Sequence, residues 1–303
     1  MFLREYPIKT FLSKEEINVK ILGVLCLGFF CAVVQAQEIR IQKAMAGNVT
    51  HAYYKQLLVM ALKKNANGRI VPQLKEVANH EQGRATFQML EGEQLDIFWV
   101  GTDIQRESEL RAIRIPLDGG LLGFRRFIIH KSMREKFDQI KSIDDLKNLV
   151  GCQGLNWPDT LILRNAGLRI KEVAGFESLF QLVVAKRCDY FPRGIAEAGT
   201  EIMERSSKYP DLMVYEPLIV HYPFTIYFFL NKKNEALAQW IEQGLEMLIE
   251  SGEFKSYIES HPFTNPVFPL PSESAVQYLR VPNPFLPEDT PILDTKYWFS
   301  IPN

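Results

Sequence analysis

The stretch CDYFPRGIAEAGTE, residues 188–201, decides how the chain is read. A strand-forming aromatic pair, Tyr190 and Phe191, runs into Pro192, Arg193 and Gly194, and a helix-forming segment follows. A strand that hands over to a helix is the building unit of an open α/β sheet. Ligands in such sheets sit beyond the carboxyl ends of the strands. In this reading Pro192 stops the strand, Gly194 lets the chain turn, and Arg193 is left projecting into a cleft. Glu197 lies one helical turn further on, so the competing reading is a purely structural Arg193–Glu197 pair at i, i+4.

The same alternation extends in both directions. EIRIQKA (38–44) alternates as a strand, and HAYYKQLLVMALKK (51–64) carries Tyr54, Leu57, Leu58, Ala61 and Leu62 at helical spacing. Residues 81–90 read as a second helix closed by Gly92, and LDIFWVG (95–101) as a buried strand. TDIQRESELRAIRIPL reads as a polar loop, followed by the strand GFRRFIIH (123–130) and a short helix capped by Ser142. A second strand–helix series runs from LVGCQGL to LMVYEPLIV. FTIYFFLN (224–231) and the helical stretch to His261, broken near Gly252, then lead back to the first unit. The expected fold is therefore α/β and two-lobed. Each lobe is a mostly parallel sheet flanked by helices, and two crossings form a hinge. Lobe one takes residues 37–125 and 224–262, lobe two takes 126–223, and a proline-rich tail, 263–303, is expected as ordered coil packed on lobe one.

Composition narrows the function. With 35 basic and 36 acidic residues the net charge is -1, which argues against a nucleic-acid partner. At the N-terminus, ILGVLCLGFFCAVV (21–34) follows Lys20 and precedes Val34-Gln35-Ala36. Fourteen apolar residues are short for a membrane span but suit a secretory signal, so residues 1–36 read as a cleaved signal peptide and the protein as periplasmic. An uncleaved N-terminal anchor is the alternative. The exported chain keeps Cys152 and Cys188, either a disulfide or two buried thiols. No His/Cys cluster suggests a metal, and no cofactor motif is present.

SIDDLKNLVGCQG, AKRCDYFPRG and FTIYFFLNKKNEALAQWIEQGLEMLIESGEFKSYIESH, in that order, resemble the type II periplasmic solute-binding proteins, in particular their family 3, amino-acid-binding branch. The resemblance covers nearly all of residues 38–262. Within that branch GLNWPDTLILRNAGL, DYFPRG and IPLDGGLLGFRRF are similar to a bacterial subgroup from which no particular ligand follows. The resemblance implies ligand contacts from Thr102 and Arg106 in the loop after LDIFWVG, where a guanidinium fork suits a carboxylate. It also implies a helix start capped by Asn156, whose nearby amides would hold an anion, with Trp157 as an apolar wall of the site. A solvated Arg106 and a packing role for Trp157 are the bland alternatives. Amino-acid binders commonly carry an acidic residue where this chain has Pro192-Arg193-Gly194. With Arg193 facing the cleft, the ligand is expected to carry an additional anionic group or to lack a free ammonium, and Glu197 either pairs with Arg193 or takes over the amine contact.

The expected function is capture of a small anionic metabolite, an amino acid or related carboxylate, between the lobes for transport by a membrane permease. Arg193→Ala is then expected to cost binding with little loss of fold. A sensor that reports to a membrane partner is the second reading. An exported lyase or hydrolase with Glu197 as general acid/base is the third, since no nucleophile–base or zinc motif stands out. A monomer is expected.

Overall fold

The structure is a computed structural model that describes residues 38–44, 50–92 and 94–302. The segment read from sequence as a signal peptide lies outside the described residues. In chain order the elements begin with β1 (Glu38–Gln42), α1 (His51–Lys64), β2 (Gln73–Val77), α2 (Gln82–Glu91), β3 (Phe98–Gly101), α3 (Ile104–Glu109) and β4 (Arg111–Ile113). Next come β5 (Phe124–His130), α4 (Arg134–Asp138), α5 (Ile143–Leu146), β6 (Val150–Gly154), α6 (Asp159–Asn165), β7 (Arg169–Val173), α7 (Phe176–Val184), β8 (Tyr190–Gly194), α8 (Ile195–Arg205) and β9 (Leu212–His221). The chain closes with β10 (Ile226–Leu230), α9 (Glu235–Glu250), α10 (Glu253–Ser260) and β11 (Gln277–Arg280).

Two lobes result. In the first, β1 and β2 pair in parallel, and Ile41 bridges to Ile97 beside the antiparallel sheet β3-β10-β4. The buried stripe of α1, Tyr53 to Leu62, packs with α9 into a core that includes Trp240, Ile241 and Leu245. The second lobe is one six-stranded mixed sheet, ordered β11-β9-β5-β8-β6-β7, with β6, β7 and β8 parallel to one another. Its helices α7 and α8 bury Leu179, Phe180, Val183 and Ala198 in a core with Ile128 and Phe191. Cys152 on β6 and Cys188 just before β8 are joined by a disulfide, with Cα atoms 5.8 Å apart.

Four local expectations give way. The segment after Gly101 is not a loop: Asp103 caps α3 by accepting from the Arg106 amide, and β4 then pairs with β10. Pro192 does not end its strand. β8 runs through Pro192 and Arg193 to Gly194 along β5, with Phe127 opposite Pro192 and Arg126 opposite Arg193. On its other flank β8 pairs with β6 only at Gly151–Tyr190, so no ladder there requires the amide that proline lacks. Gly194 has φ -53° and needs no left-handed turn. Its smallness makes room for Glu197, whose carboxylate would lie 2.8 Å from an added Cβ. Finally, the tail is not all coil: β11 extends the second lobe's sheet alongside β9.

The segments linking the lobes, 114–123 and 222–225, are tied to each other. The Asp118 carboxylate accepts from Thr225 Oγ1 at 2.8 Å, from the Leu122 amide at 2.8 Å and from the Gly120 amide at 3.1 Å. The Tyr222 and Leu117 amides donate across the hinge to the carbonyls of Gly123 and Ile226. Among the described residues no helix is long and apolar enough to cross a membrane.

Candidate functional site

Between the lobes lies a cleft with a cavity volume of about 160 Å³. An engineered cavity of about 150 Å³ accepts benzene, so the space suits a ligand of a few to about a dozen heavy atoms. The first lobe contributes His51 and Tyr54 from α1 and Trp99 from β3. The His51 and Trp99 ring centroids are 5.1 Å apart. The second lobe contributes Trp157, Phe176, Asp159, Arg193, Glu197 and Glu201, and Arg125 and Phe224 enter from beside the hinge.

The cleft floor is a chain of ion pairs. Arg193, 6% exposed at the end of β8, meets Glu201 bidentately: Nε donates to Oε2 at 2.8 Å and Nη2 to Oε1 at 2.6 Å. Its Nη2 also lies 2.7 Å from Glu197 Oε1. Glu197 folds back to accept the Gly194 amide at 2.9 Å and stands 3.8 Å from Arg125 Nη1. Arg125, 1% exposed, donates to Asp159, which also accepts from Gln153 at 2.7 Å and Tyr222 at 3.3 Å. The Arg193 guanidinium sits over the faces of Trp157, Phe191 and Phe176 at 5.0, 5.3 and 5.4 Å, a cation–π arrangement.

The energetics follow from burial. Desolvation alone would disfavour the Arg193 charge, but Glu197 and Glu201 outweigh it and raise its pKa. Burial pushes the Glu201 carboxyl up, against the pull of Arg193. Two guanidiniums face three carboxylates here, and a third buried guanidinium, Arg205, lies against Glu201 and offsets its charge. Arg193 is left one unused position: no hydrogen bond from Nη1 is found among the described residues. The site thus offers a single N–H-rich edge beside carboxylates, framed by aromatic rings.

The sequence-derived candidates divide. Trp157, Arg193 and Glu197 line the cleft together. Thr102 and Arg106 are engaged elsewhere. Thr102 Oγ1 donates to Glu107 at 2.6 Å, while Arg106 is buried and donates to the Gly101 carbonyl, 3.3 Å from Asp103. Asn156 adopts a left-handed φ of 62° and reaches Gly83 of α2 across the cleft mouth, and Pro158 rather than Asn156 caps α6. The Leu155 and Trp157 amides are already bonded, to the Val173 and Gly154 carbonyls. Arg125, Asp159 and Glu201 were not singled out from sequence. Glu201 had a signal, since it shares a helical face with Glu197 at i, i+4. Asp159 and Arg125 had none, because their pairing spans 34 residues. Among the described residues no group of three or more His, Cys, Asp or Glu is placed to hold a metal ion.

No protein-family model matches the chain, and no curated protein matches it in sequence. Solved structures do match in shape. An ancestral arginine-binding protein bound to arginine is 15% identical with a TM-score of 0.54, covering 74% of this chain and 96% of that one. The GluR0 ligand-binding core in complex with L-glutamate is 14% identical, with a TM-score of 0.54 and coverage of 74% and 96%. A periplasmic His/Glu/Gln/Arg/opine family-binding protein from Silicibacter pomeroyi, in complex with lysine, is 13% identical, with a TM-score of 0.54 and coverage of 74% and 95%. The chain has the type II periplasmic solute-binding-protein fold.

Proposed function

We propose that this protein is an exported solute-binding protein that holds a small zwitterion, an amino acid or related amine-bearing carboxylate, between its lobes for uptake through a membrane permease. The observation that carries the reading is the half-satisfied Arg193 beside the carboxylates of Glu197 and Glu201. Nη1 offers donors to a ligand carboxylate, Glu197 and Glu201 offer acceptors to an ammonium, and both lie within the one small cleft. Trp157, Phe176, Trp99 and Tyr54 supply flat apolar walls for the ligand's side chain. Binding is favoured over catalysis because Glu197 is held by Arg193 and by the Gly194 amide, and so lacks the freedom of a general acid.

The test is a thermal-unfolding screen against L-amino acids, their amine-free acids and dicarboxylates. A ligand at one hundred times its Kd adds about 2.7 kcal/mol, or roughly 5–10 °C for a domain of this size. Stabilisation by an amino acid is the expected result. Stabilisation only by amine-free dicarboxylates, or by nothing in the panel, would overturn the assignment.

A further inference from the structure

The C-terminal segment after α10 does not stay on the lobe from which it emerges. Phe268 and Leu270 first pack into the core of the first lobe. The chain then crosses to the second lobe, where β11 pairs in parallel with β9 from Gln277–Leu218 to Arg280–His221 and Leu279 and Val281 enter the core. It then returns. Asn283 Nδ2 donates to the Pro223 carbonyl at 2.8 Å, and the Phe285 carbonyl accepts from the Ile104 amide of α3 at 2.9 Å. Arg114 binds Asp289 at 2.7 Å, and Lys296 and Tyr297 both bind Glu246 on α9, at 2.6 and 2.7 Å. The Pro302 carbonyl finally accepts from the Glu273 amide, closing the segment on itself.

Both hinge segments lie under this path. Gly119 and Gly120 are in left-handed conformations, with φ 62° and 81°, and are natural pivots of the first crossing. The Phe299 amide donates to the Gly119 carbonyl at 2.9 Å, and the Phe299 and Trp298 rings lie where Cβ atoms of Gly119 and Gly120 would be, 2.4 Å away in each case. The second crossing is held at Pro223 by Asn283. A two-segment hinge turns through a few φ/ψ changes. Here such a turn would have to strip these rings and hydrogen bonds from the pivots themselves. The structures of similar shape are spanned almost entirely by about three quarters of this chain, so a quarter of it is additional to what they share.

We infer that residues 263–302 form an interlobe strap that clamps both hinge crossings and restricts the lobes to a narrow range of angles. The inference is independent of which ligand the cleft takes. Spin labels at Lys63→Cys on α1 and Lys171→Cys on β7, both exposed sites, report the interlobe distance by double electron–electron resonance. The wild-type background should give one narrow distribution. A chain ending at Pro282 lacks the return leg and should gain a longer-distance population. So should the full-length variant Glu246→Ala, Asp289→Ala, Phe299→Ala, which decides the matter if the shortened chain fails to fold. Cooperative unfolding of that variant confirms that the lobes themselves are intact. Superimposable distributions in the wild-type and triple-variant backgrounds, or a broad distribution in the wild type, would overturn the strap.

Discussion

Asp118 is a buried carboxylate with no cation against it among the described residues, and it ties the two hinge crossings together. Burial raises its pKa from an ordinary 3.8 to about 6, although Thr225 and the Leu122 and Gly120 amides pull the other way. An acid whose folded pKa lies above its unfolded value holds its proton more tightly when folded. Its contribution to stability is therefore greatest below about pH 4, falls between pH 4 and 6, and is flat above that. Two pKa units correspond to about 3 kcal/mol. Asp118→Asn removes the titration. It also turns one acceptor into a donor facing the Leu122 amide, at about 1–3 kcal/mol for the unmatched group. The variant should thus be about 1–3 kcal/mol less stable than wild type at pH 4, and at parity or better at pH 7. Urea unfolding followed by tryptophan fluorescence across pH 4–7.5 measures the difference, in which every other titrating group cancels. A wild-type-minus-variant stability that is constant across the range would show that Asp118 does not hold its proton more tightly in the folded protein.

Arg193→Ala strands Glu197 and Glu201 in the interior, and breaking a buried ion pair in this way costs about 3–5 kcal/mol. A substantial loss of stability is now the expectation, in place of the small one that the sequence suggested. Urea unfolding within about 1 kcal/mol of wild type would contradict the geometry. Gly123→Ala places a Cβ 2.1 Å from the Tyr222 carbonyl oxygen of the other crossing, and should destabilise by about 1–3 kcal/mol or more in the same assay. Replacing Cys152 and Cys188 together by serine opens a loop of 36 residues' separation, which loop-closure entropy values at about 3–4 kcal/mol. An unchanged melting temperature would show that the bond does not form in the purified protein.

Much of the fold was legible because local signals agreed with tertiary demand. The apolar spacing of residues 51–64 marks α1 to the residue, Gly92 and Gly252 end or interrupt helices in left-handed turns, and Ser142 caps α5 through Asp145. The failures share a cause. Pro192 reads as a stop in isolation, yet it is tolerated where the neighbouring ladder has ended, and that is a fact about β6. β11 is invisible inside a proline-rich segment because its partner, β9, lies some sixty residues away. At the site, Arg193 and Glu197 could be chosen from a strand–helix junction. Arg106 could not be told from a ligand-binding arginine, because only the folded α3 turns it inward to the Gly101 carbonyl. Glu201's grip on Arg193 spans eight residues and two elements, beyond what helix spacing alone reveals.

In the proposed function one cleft engages both charges of a small zwitterion, through Arg193 on one side and Glu197 with Glu201 on the other. Calorimetric titration of the wild-type protein with the best amino acid from the thermal screen, beside its amine-free and carboxyl-amidated analogues, tests this directly. Each analogue leaves a buried charged group without its ligand partner, a loss of about 2 kcal/mol or more, or at least roughly thirtyfold in Kd. Both analogues should weaken by that much. An amine-free analogue that binds as tightly as the amino acid would contradict it.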